Sequence, residues 1–322
     1  MASLKTIQLK RRSVCKSRQV TRAMEAVSAA KMRKAQAHAL RARAYARAAL
    51  SVLARLSSTR ELARHSLVRQ NDSAHMLYIV ITSDKGLAGA LNSAVLKAAA
   101  ADIASRGEAR IIAVGRKAGE YFVRRGFPVE LSVLNLDSHD RTARAVLERA
   151  SKLYAAGDVG VVRIAYQNFV STFEQRPTVR TLFPLSLTEL NHMVEDLNFA
   201  KTNLPGEKSG PQGRRERQAD ETGDPRTFQE GGLLKPITYT VEPSEAEVLE
   251  AVVPRLASVA IHHALRESAA SEHSARMVAM KSATDKADEL SVELTRRFNK
   301  ARQAAITREL SEIVGGMEAL SI

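Results

Sequence analysis

The sequence predicts an α/β domain inserted into a long antiparallel two-helix coiled coil that is formed by the two ends of the chain. Neither Gly nor Pro occurs among the first 70 of the 322 residues, so nothing there interrupts a helix. After Pro254 there is no further Pro, and no Gly until Gly315. Between these ends, short β-rich runs alternate with stretches compatible with helix, which is typical of an α/β domain with a largely parallel sheet.

The N-terminal segment is predicted to form one continuous helix over residues 3–58. Its apolar residues fall at spacings built from threes and fours, with Lys and Arg between them, which indicates a helix with one apolar stripe. The stripe residues are Leu4, Ile7, Val14, Val20, Met24 and Val27. A helix of this length would span roughly 80 Å at 1.5 Å per residue, and it needs a partner along that length.

The C-terminal segment is predicted to form a second long helix, which neither Pro nor Gly interrupts between Pro254 and Gly315. Its stripe has the same spacing and comprises Met277, Met280, Thr284, Ala287, Leu290, Leu294, Phe298, Ala301 and Ala305. A cleaner heptad run follows at Ile306, Leu310, Ile313, Met317 and Leu320. Two striped helices at opposite ends of one chain bury their stripes most simply by pairing antiparallel, with the middle of the chain between them.

The middle of the chain, from about residue 72 to 240, is predicted to hold the sheet. The runs "HMLYIVIT", "ARIIAVG", "FPVELSVLNL" and "DVGVVRIAYQNFV" predict strands, and "SAVLKAAAADIAS" and "RTARAVLERASKLYAAG" predict helices between them. Such alternation implies helices on both faces of the sheet.

A glycine-rich turn follows the first predicted strand, in "ITSDKGLAGALNS" at 81–93. Such a turn can hold a phosphate, but Gly86 and Gly89 fall short of the three-glycine dinucleotide pattern, and Lys85 precedes the glycines instead of following them as in a P-loop. We therefore interpret it as a packed turn from strand to helix, with Asn92 and Ser93 suited to the N-terminus of the helix.

Residues 201–232 are predicted to be a disordered surface insertion, because this stretch holds six Gly and three Pro and almost no core-forming side chains. A basic tether around "GRRER" is the alternative interpretation. The predicted organisation is a coiled-coil helix over 1–70, an α/β domain over 71–240 and a second coiled-coil helix over 241–322.

Composition and charge narrow the class of protein. Aromatic residues make up 4% of the chain, and Cys15 is the only cysteine, which excludes an internal disulfide and any multi-cysteine metal site. The sequence shows neither a leader-like start nor an apolar run of about 18 residues, so we expect a soluble or peripheral protein. Residues 1–70 carry 17 Lys or Arg against Glu25 and Glu61, a net +15 in a chain of +14. Such a segment favours nucleic acid, an acidic protein or an anionic membrane as its partner.

Four stretches carry a family resemblance. Residues 13–36 ("SVCKSRQVTRAMEAVSAAKMRKAQ"), 81–93, 239–255 ("YTVEPSEAEVLEAVVPR") and 276–320 ("RMVAMKSATDKADELSVELTRRFNKARQAAITRELSEIVGGMEAL") resemble the gamma subunit of F-type ATP synthases, in the family's order. The resemblance implies a Rossmann-like α/β domain that binds no nucleotide, and a coiled coil that is the rotor shaft inside three alpha and three beta subunits. It further implies contacts with epsilon and the membrane c ring, torque transmission and regulation of ATPase activity and ion flow in a proton-translocating enzyme. The expected location is the cytoplasmic face of the bacterial inner membrane, without a membrane span.

The resemblance also implies contact residues. Arg22 and Met24 correspond to a contact with beta, although Met24 could equally serve ordinary seam packing. Arg302, Gln303 and Thr307 correspond to the catch region on beta, although a long helix with exposed polar residues would look the same without any contact.

At the foot, Tyr239 and Glu242 correspond to a contact with c-ring loops. Two positions depart from the family pattern. Val241 stands where a second tyrosine is common, and Arg11 stands where an apolar residue is usual.

No catalytic residue, cofactor or metal site is predicted on this chain. His262 and His263 are adjacent, so they point to different sides of a helix and do not easily share a metal. Two other functions remain open from the residues alone: a basic coiled-coil protein that binds nucleic acid, and a nucleotide-dependent enzyme built on the α/β domain.

Overall fold

The computed structural model describes residues 4–56, 60–134, 139–186 and 244–320. The predicted insertion at 201–232 and the two predicted c-ring contacts, Tyr239 and Glu242, lie outside the described residues. The helices are α1 (Leu4–Leu56), α2 (Arg60–Arg64), α3 (Leu91–Arg106), α4 (Arg116–Val123), α5 (His139–Ala155) and α6 (Glu245–Leu320). The strands are β1 (Met76–Ile81), β2 (Ala109–Val114), β3 (Val129–Val133), β4 (Val161–Phe169) and β5 (Gln175–Phe183).

The strands form one five-stranded sheet in the order β3-β2-β1-β4-β5. All neighbours pair in parallel except β4 and β5, which are antiparallel. Strand β1 lies in the centre and is buried along its whole length, as expected for an apolar run covered on both faces. The four predicted strands are confirmed, whereas β5 and the short helix α4 were not predicted.

Each face of the sheet has its own apolar core. One core packs α3 and α4 on the sheet, through residues such as Val95 and Phe122. The other packs α5 and the first part of α6, from Leu249 to Leu265, on the opposite face. The sheet therefore lies between two helical layers, and α6 belongs to both the domain and the coiled coil.

Helix α6 begins at Glu245, within the segment 241–322 given to the C-terminal helix, and it runs through Pro254. Its start is fixed by Ser244, whose hydroxyl oxygen accepts a hydrogen bond from the Glu247 backbone N–H at 3.3 Å. Ser and Glu three residues apart are a typical helix start, and this signal outweighs the single proline ten residues after the serine.

Among the described helices, α6 has one segment, within Ala246–Val314, that is long and apolar enough by length and composition to cross a membrane. Half of that segment is buried inside the fold, and the core helix of a soluble protein meets the same criterion.

Candidate functional site

The two long helices pair antiparallel, as the sequence predicts. Polar side-chain pairs between them define the direction: Cys15 lies opposite Ser291 at 3.7 Å, Arg18 opposite Asp288 at 2.7 Å, and Thr21 opposite Thr284 at 2.8 Å. Residue numbers rise along α1 as they fall along α6, which defines the antiparallel arrangement. We call this helix pair the shaft.

The shaft seam on α1 differs in part from the predicted stripe. Val20 and Val27 are 59% and 56% exposed and point away from α6. Arg18, Thr21 and the buried Ser28 face the seam instead. The helix geometry decides this, because a stripe that includes Val14 continues at positions 18 and 21, whatever residues stand there.

The shaft seam on α6 follows the prediction closely. All the predicted stripe residues from Met277 to Ala305 are partly or fully buried except Leu290, which is 43% exposed. Ser291 takes its place in the seam and faces Cys15. Small residues such as Ala287 and Ala301 fill much of the rest, which allows the two helices to approach closely.

Arg11 lies in the seam although an apolar residue is expected there. Its guanidinium carbon is 5.2 Å from the centroid of the Phe298 ring. This cation–π contact lets the aliphatic stem pack in the seam while the charge stays at its edge.

Beyond Ala305, α6 extends past the start of α1. Its heptad run is helical as predicted, but Ile306, Leu310, Ile313 and Met317 are all exposed. Within the described residues, no other helix covers this tip, so it presents an apolar stripe to a partner.

The predicted beta-contact residues fall in two zones of the shaft. Met24 is partly buried at the seam, while its neighbour Arg22 is exposed. Arg302, Gln303 and Thr307 are all exposed near the tip, and the Thr307 hydroxyl donates to the Gln303 carbonyl at 3.0 Å. The Thr21–Thr284 pair places Met24 beside the part of α6 near residue 281, so the zones lie roughly 30 Å apart along the helix.

Arg276 joins the shaft to the glycine-rich turn. This arginine is 8% exposed, and its guanidinium donates to the Gly86 carbonyl at 3.2 Å and to the Glu272 carboxylate at 2.6 Å. Within this turn, Leu87 has a left-handed backbone conformation, with φ of 63°, and its side chain is exposed. The turn is therefore tied to α6 by protein contacts.

Asn92 closes the same turn from within, but it does not cap α3. Its side-chain oxygen accepts from the Ser83 backbone N–H at 3.0 Å, and its amide nitrogen donates to the Ser83 hydroxyl at 2.8 Å. The N-cap position is Ala90, which makes no side-chain cap. Ser93 donates to the Ala90 carbonyl at 2.8 Å. Both predicted residues thus lie in the first turn of α3 with a different role.

Three polar side chains anchor α6 to strand β4 and its hairpin. Glu267 is 4% exposed and accepts from the Phe169 backbone N–H at 3.0 Å. Ser271 donates to the Gln167 carbonyl at 3.3 Å, and Ser274 to the Thr172 carbonyl at 2.7 Å. Sequence reasoning missed these anchors and Arg276. The sequence signal for these anchors is a set of polar residues spaced three or four apart on a helix face that is otherwise apolar.

The histidines are packing residues, as predicted. His262 lies 3.6 Å from Asp140, and His263 lies 3.7 Å from Glu267, so the two rings face different partners. Burial lowers the pKa of His262 below its usual 6.5. Burial also disfavours the charged form of Tyr154, and this raises its pKa to about 12. In the part of the chain that the structure describes, no group of His, Cys, Asp and Glu could hold a metal ion.

Comparisons with known proteins agree with one another. A family model described as ATP synthase matches residues 3–320. The ATP synthase gamma chain of Pelotomaculum thermopropionicum is 35% identical over 99% of this chain and 100% of its own length. That of Symbiobacterium thermophilum is 36% identical over 98% of both chains.

A solved structure shares the fold. A chain in the Euglena gracilis mitochondrial ATP synthase, from a cryo-EM structure of OSCP, F1 and the c-ring in rotational state 3, superposes with a TM-score of 0.61 at 19% identity. The match covers 98% of this chain and 94% of that one. Because the family model spans almost the entire chain and relatives above 30% identity match it end to end, the protein belongs to the ATP synthase gamma chain family.

Proposed function

We propose that this chain is the central-stalk rotor subunit of a proton-translocating F-type ATP synthase. In this role it transmits torque between a membrane c ring and a catalytic hexamer of three alpha and three beta subunits, and it regulates ATPase activity and ion flow. The observation that carries the proposal is the shaft: two antiparallel helices, one of which continues into the core of the α/β domain. A rigid rod fixed to a base is the shape that torque transmission requires.

Stiffness in this shaft comes from continuity. The helix α6 runs for 76 residues without a break, and α1 runs for 53. Glu267, Ser271 and Ser274 bond α6 to the sheet, so rotation of the domain turns the helix with it. Along α6, no loop interrupts the chain between the α/β domain and the end of the shaft.

The outer surface of the shaft suits a partner that moves past it. Lys and Arg residues on α1, such as Arg12, Lys16 and Arg22, are exposed. Coulomb attraction to acidic surfaces of a surrounding ring acts over about 8 Å at physiological salt and has little directional preference. A surface poor in aromatic side chains also lacks the deep hot spots that would hold one orientation.

The contacts with beta are assigned to Arg22, Met24, Arg302, Gln303 and Thr307. The last three are exposed, Arg302 and Gln303 just before the apolar tip and Thr307 within it, where a ring around the shaft would reach them. At the foot, Tyr239 and Glu242 are assigned to the c ring, and epsilon binds the α/β domain. The chain is then a peripheral component on the cytoplasmic face of the bacterial inner membrane, and nucleotide chemistry belongs to beta.

Reconstitution with alpha and beta subunits tests the proposal. ATP hydrolysis should depend on this chain, and the double variant Arg302→Ala, Gln303→Ala should lower turnover about tenfold, a loss of roughly 1.4 kcal/mol in barrier stabilisation. Arg308→Ala is the matched control, because Arg308 is equally exposed but lies on another side of the helix. An alpha–beta assembly that turns over equally well without the chain would refute the rotor function.

A further inference from the structure

The shaft seam changes character along its length. Its ends are apolar, with Leu4 and Ile7 at one end of α1 and the buried Met32 towards the other. Between them lies a short stretch in which the seam is polar or small on both helices, at Arg18 and Thr21 on α1 and at Thr284, Ala287 and Ser291 on α6, flanked on α6 by the buried Met280 and Leu294. In this short stretch the register depends on polar pairs as well as on apolar packing.

Besides the contact of Cys15 with Ser291, two interhelical polar pairs occur in this stretch. The Thr21 and Thr284 hydroxyl oxygens lie 2.8 Å apart, and Thr284 is 8% exposed. Thr21 also lies 3.0 Å from the Arg18 carbonyl, and Thr284 lies 2.9 Å from the Met280 carbonyl. If Thr21 donates to Thr284, the Thr284 hydroxyl donates its own proton to the Met280 carbonyl. If Thr284 donates to Thr21, the Thr21 hydroxyl donates to the Arg18 carbonyl. Both arrangements keep the interhelical hydrogen bond. About one turn away, Arg18 donates to Asp288 at 2.7 Å.

We infer that this polar layer, Thr21 with Thr284 and Arg18 with Asp288, fixes the register in which α1 and α6 pair. A shift of one heptad in one direction places Arg18 opposite Lys281, a like charge, and Thr21 opposite Met277, which offers its hydroxyl no good partner. A shift in the other direction places Arg18 opposite Thr295 and removes the ion pair. The layer thus stabilises one register and disfavours both neighbours.

The chain carries its own reporter of register. Cys15 is its only cysteine, and the sulfur lies 3.7 Å from the Ser291 hydroxyl. With Ser291→Cys, mild oxidation of the full chain reports the native register as a Cys15–291 disulfide. Phe298→Cys and Thr284→Cys report shifts of one heptad in the two directions. Disulfide yields are read by peptide mass spectrometry, and circular dichroism follows the helix content.

Removing the layer should loosen the register. The triple variant Thr21→Val, Thr284→Val, Asp288→Ala should lower the ratio of native coupling (Ser291→Cys) to shifted coupling (Phe298→Cys) about tenfold at unchanged helix content. Thr307→Val is the matched control, because its hydroxyl donates only within α6, to the Gln303 carbonyl at 3.0 Å, and it lies beyond the part of α6 that faces α1. This control should leave the ratio unchanged. An unchanged ratio in the triple variant, or an equal fall in the control, overturns the inference.

A second test exchanges two exposed charges in a chain that carries the Thr284→Cys reporter, and compares it with the same reporter chain without the exchange. Lys281 and Asp288 are exposed, so exchanging their charges with Lys281→Asp, Asp288→Lys does not disturb packing. The exchange places the acidic partner of Arg18 one heptad away, and coupling of Cys15 to Thr284→Cys should rise several-fold. No rise would overturn the inference. Because both tests use the isolated chain, their outcome is independent of the proposed rotor function.

Discussion

The guanidinium of Arg11 lies over the ring of Phe298, 5.2 Å from its centroid, and joins the two ends of the chain across the shaft seam. The contact gives a first prediction. In a double-mutant cycle of Arg11→Met and Phe298→Leu, we expect a coupling of about 0.5–1 kcal/mol in the free energy of unfolding, because each substitution keeps apolar bulk but removes the cation–π pair, so the double variant loses that pair only once. Thermal unfolding followed by circular dichroism measures it. A coupling indistinguishable from zero would show that Arg11 acts only through its aliphatic stem.

Arg276 gives a second prediction. Arg276→Met should destabilise the chain by about 2–3 kcal/mol, since it leaves the Glu272 carboxylate without its 2.6 Å partner and the Gly86 carbonyl without a donor. Hydrogen exchange of the 83–90 turn should accelerate selectively. The control is Arg297→Met, because Arg297 also pairs with a Glu one turn earlier, Glu293, but is exposed and touches no turn. Equal effects of the two substitutions would contradict the role given to Arg276.

Gly115 gives a third prediction, on backbone packing at the end of β2. Its φ is +91°, and a Cβ there would come within 2.2 Å of the Thr82 carbonyl oxygen. Gly115→Ala should therefore cost more than about 3 kcal/mol. Gly157 also has a positive φ, +80°, but open space around it, so Gly157→Ala should cost only about 1–2 kcal/mol. Urea unfolding compares the two, and similar costs would mean that φ alone, and not crowding, decides.

His65 gives a fourth prediction, on pH. Burial lowers the pKa of His65 from its usual 6.5, with a smaller opposing effect of Glu250, and its Nδ1 accepts from the Leu67 backbone N–H at 3.1 Å. Above pH 6.5 the ring is neutral in both the folded and the unfolded chain. Below 6.5 the unfolded chain takes up the proton first, so stability should fall as the pH drops towards the lowered folded pKa.

His65→Asn separates this effect from other titrations, because asparagine keeps an acceptor near Nδ1 and has no proton to gain in this range. The loss of melting temperature between about pH 7.5 and pH 5 should be smaller in the variant. His262 has a pKa lowered in the same direction and contributes with the same sign in both proteins. A pH profile that His65→Asn leaves unchanged would exclude His65 as a contributor.

The sequence predicts those parts of the fold whose signals are local. Strand β1 is an unbroken apolar run, and the two long helices lack Gly and Pro over most of their lengths. Strand β5 has no such signal, because "QRPTVRTLF" mixes Arg and Thr with apolar residues and contains Pro177. A proline is tolerated there because β5 lies at the edge of the sheet.

The sequence predicts that the two long helices pair, but it does not predict which side of α1 faces α6. Apolarity selects Val20 and Val27 for the α1 seam, yet the partner helix meets Arg18 and Thr21. Which side of α1 faces inward depends on contacts with residues about 270 positions away, and no pattern within α1 contains that information. The anchors at Glu267 and Arg276 were missed for the same reason, since their partners lie on β4 and in the 83–90 turn.

Helix α6 has no joint where it leaves the sheet and enters the shaft. Pro254, in the part of α6 that packs on the sheet, has no N–H for a helix hydrogen bond, and beyond it the helix continues to the tip over roughly 100 Å at 1.5 Å per residue. A twist applied at one end must therefore spread as small elastic changes over many turns, since neither Pro nor Gly interrupts the helix between Pro254 and Gly315. The stretch in which α1 lies alongside should deform less per turn than the bare tip beyond Ala305, so strain would collect in the last 15 residues.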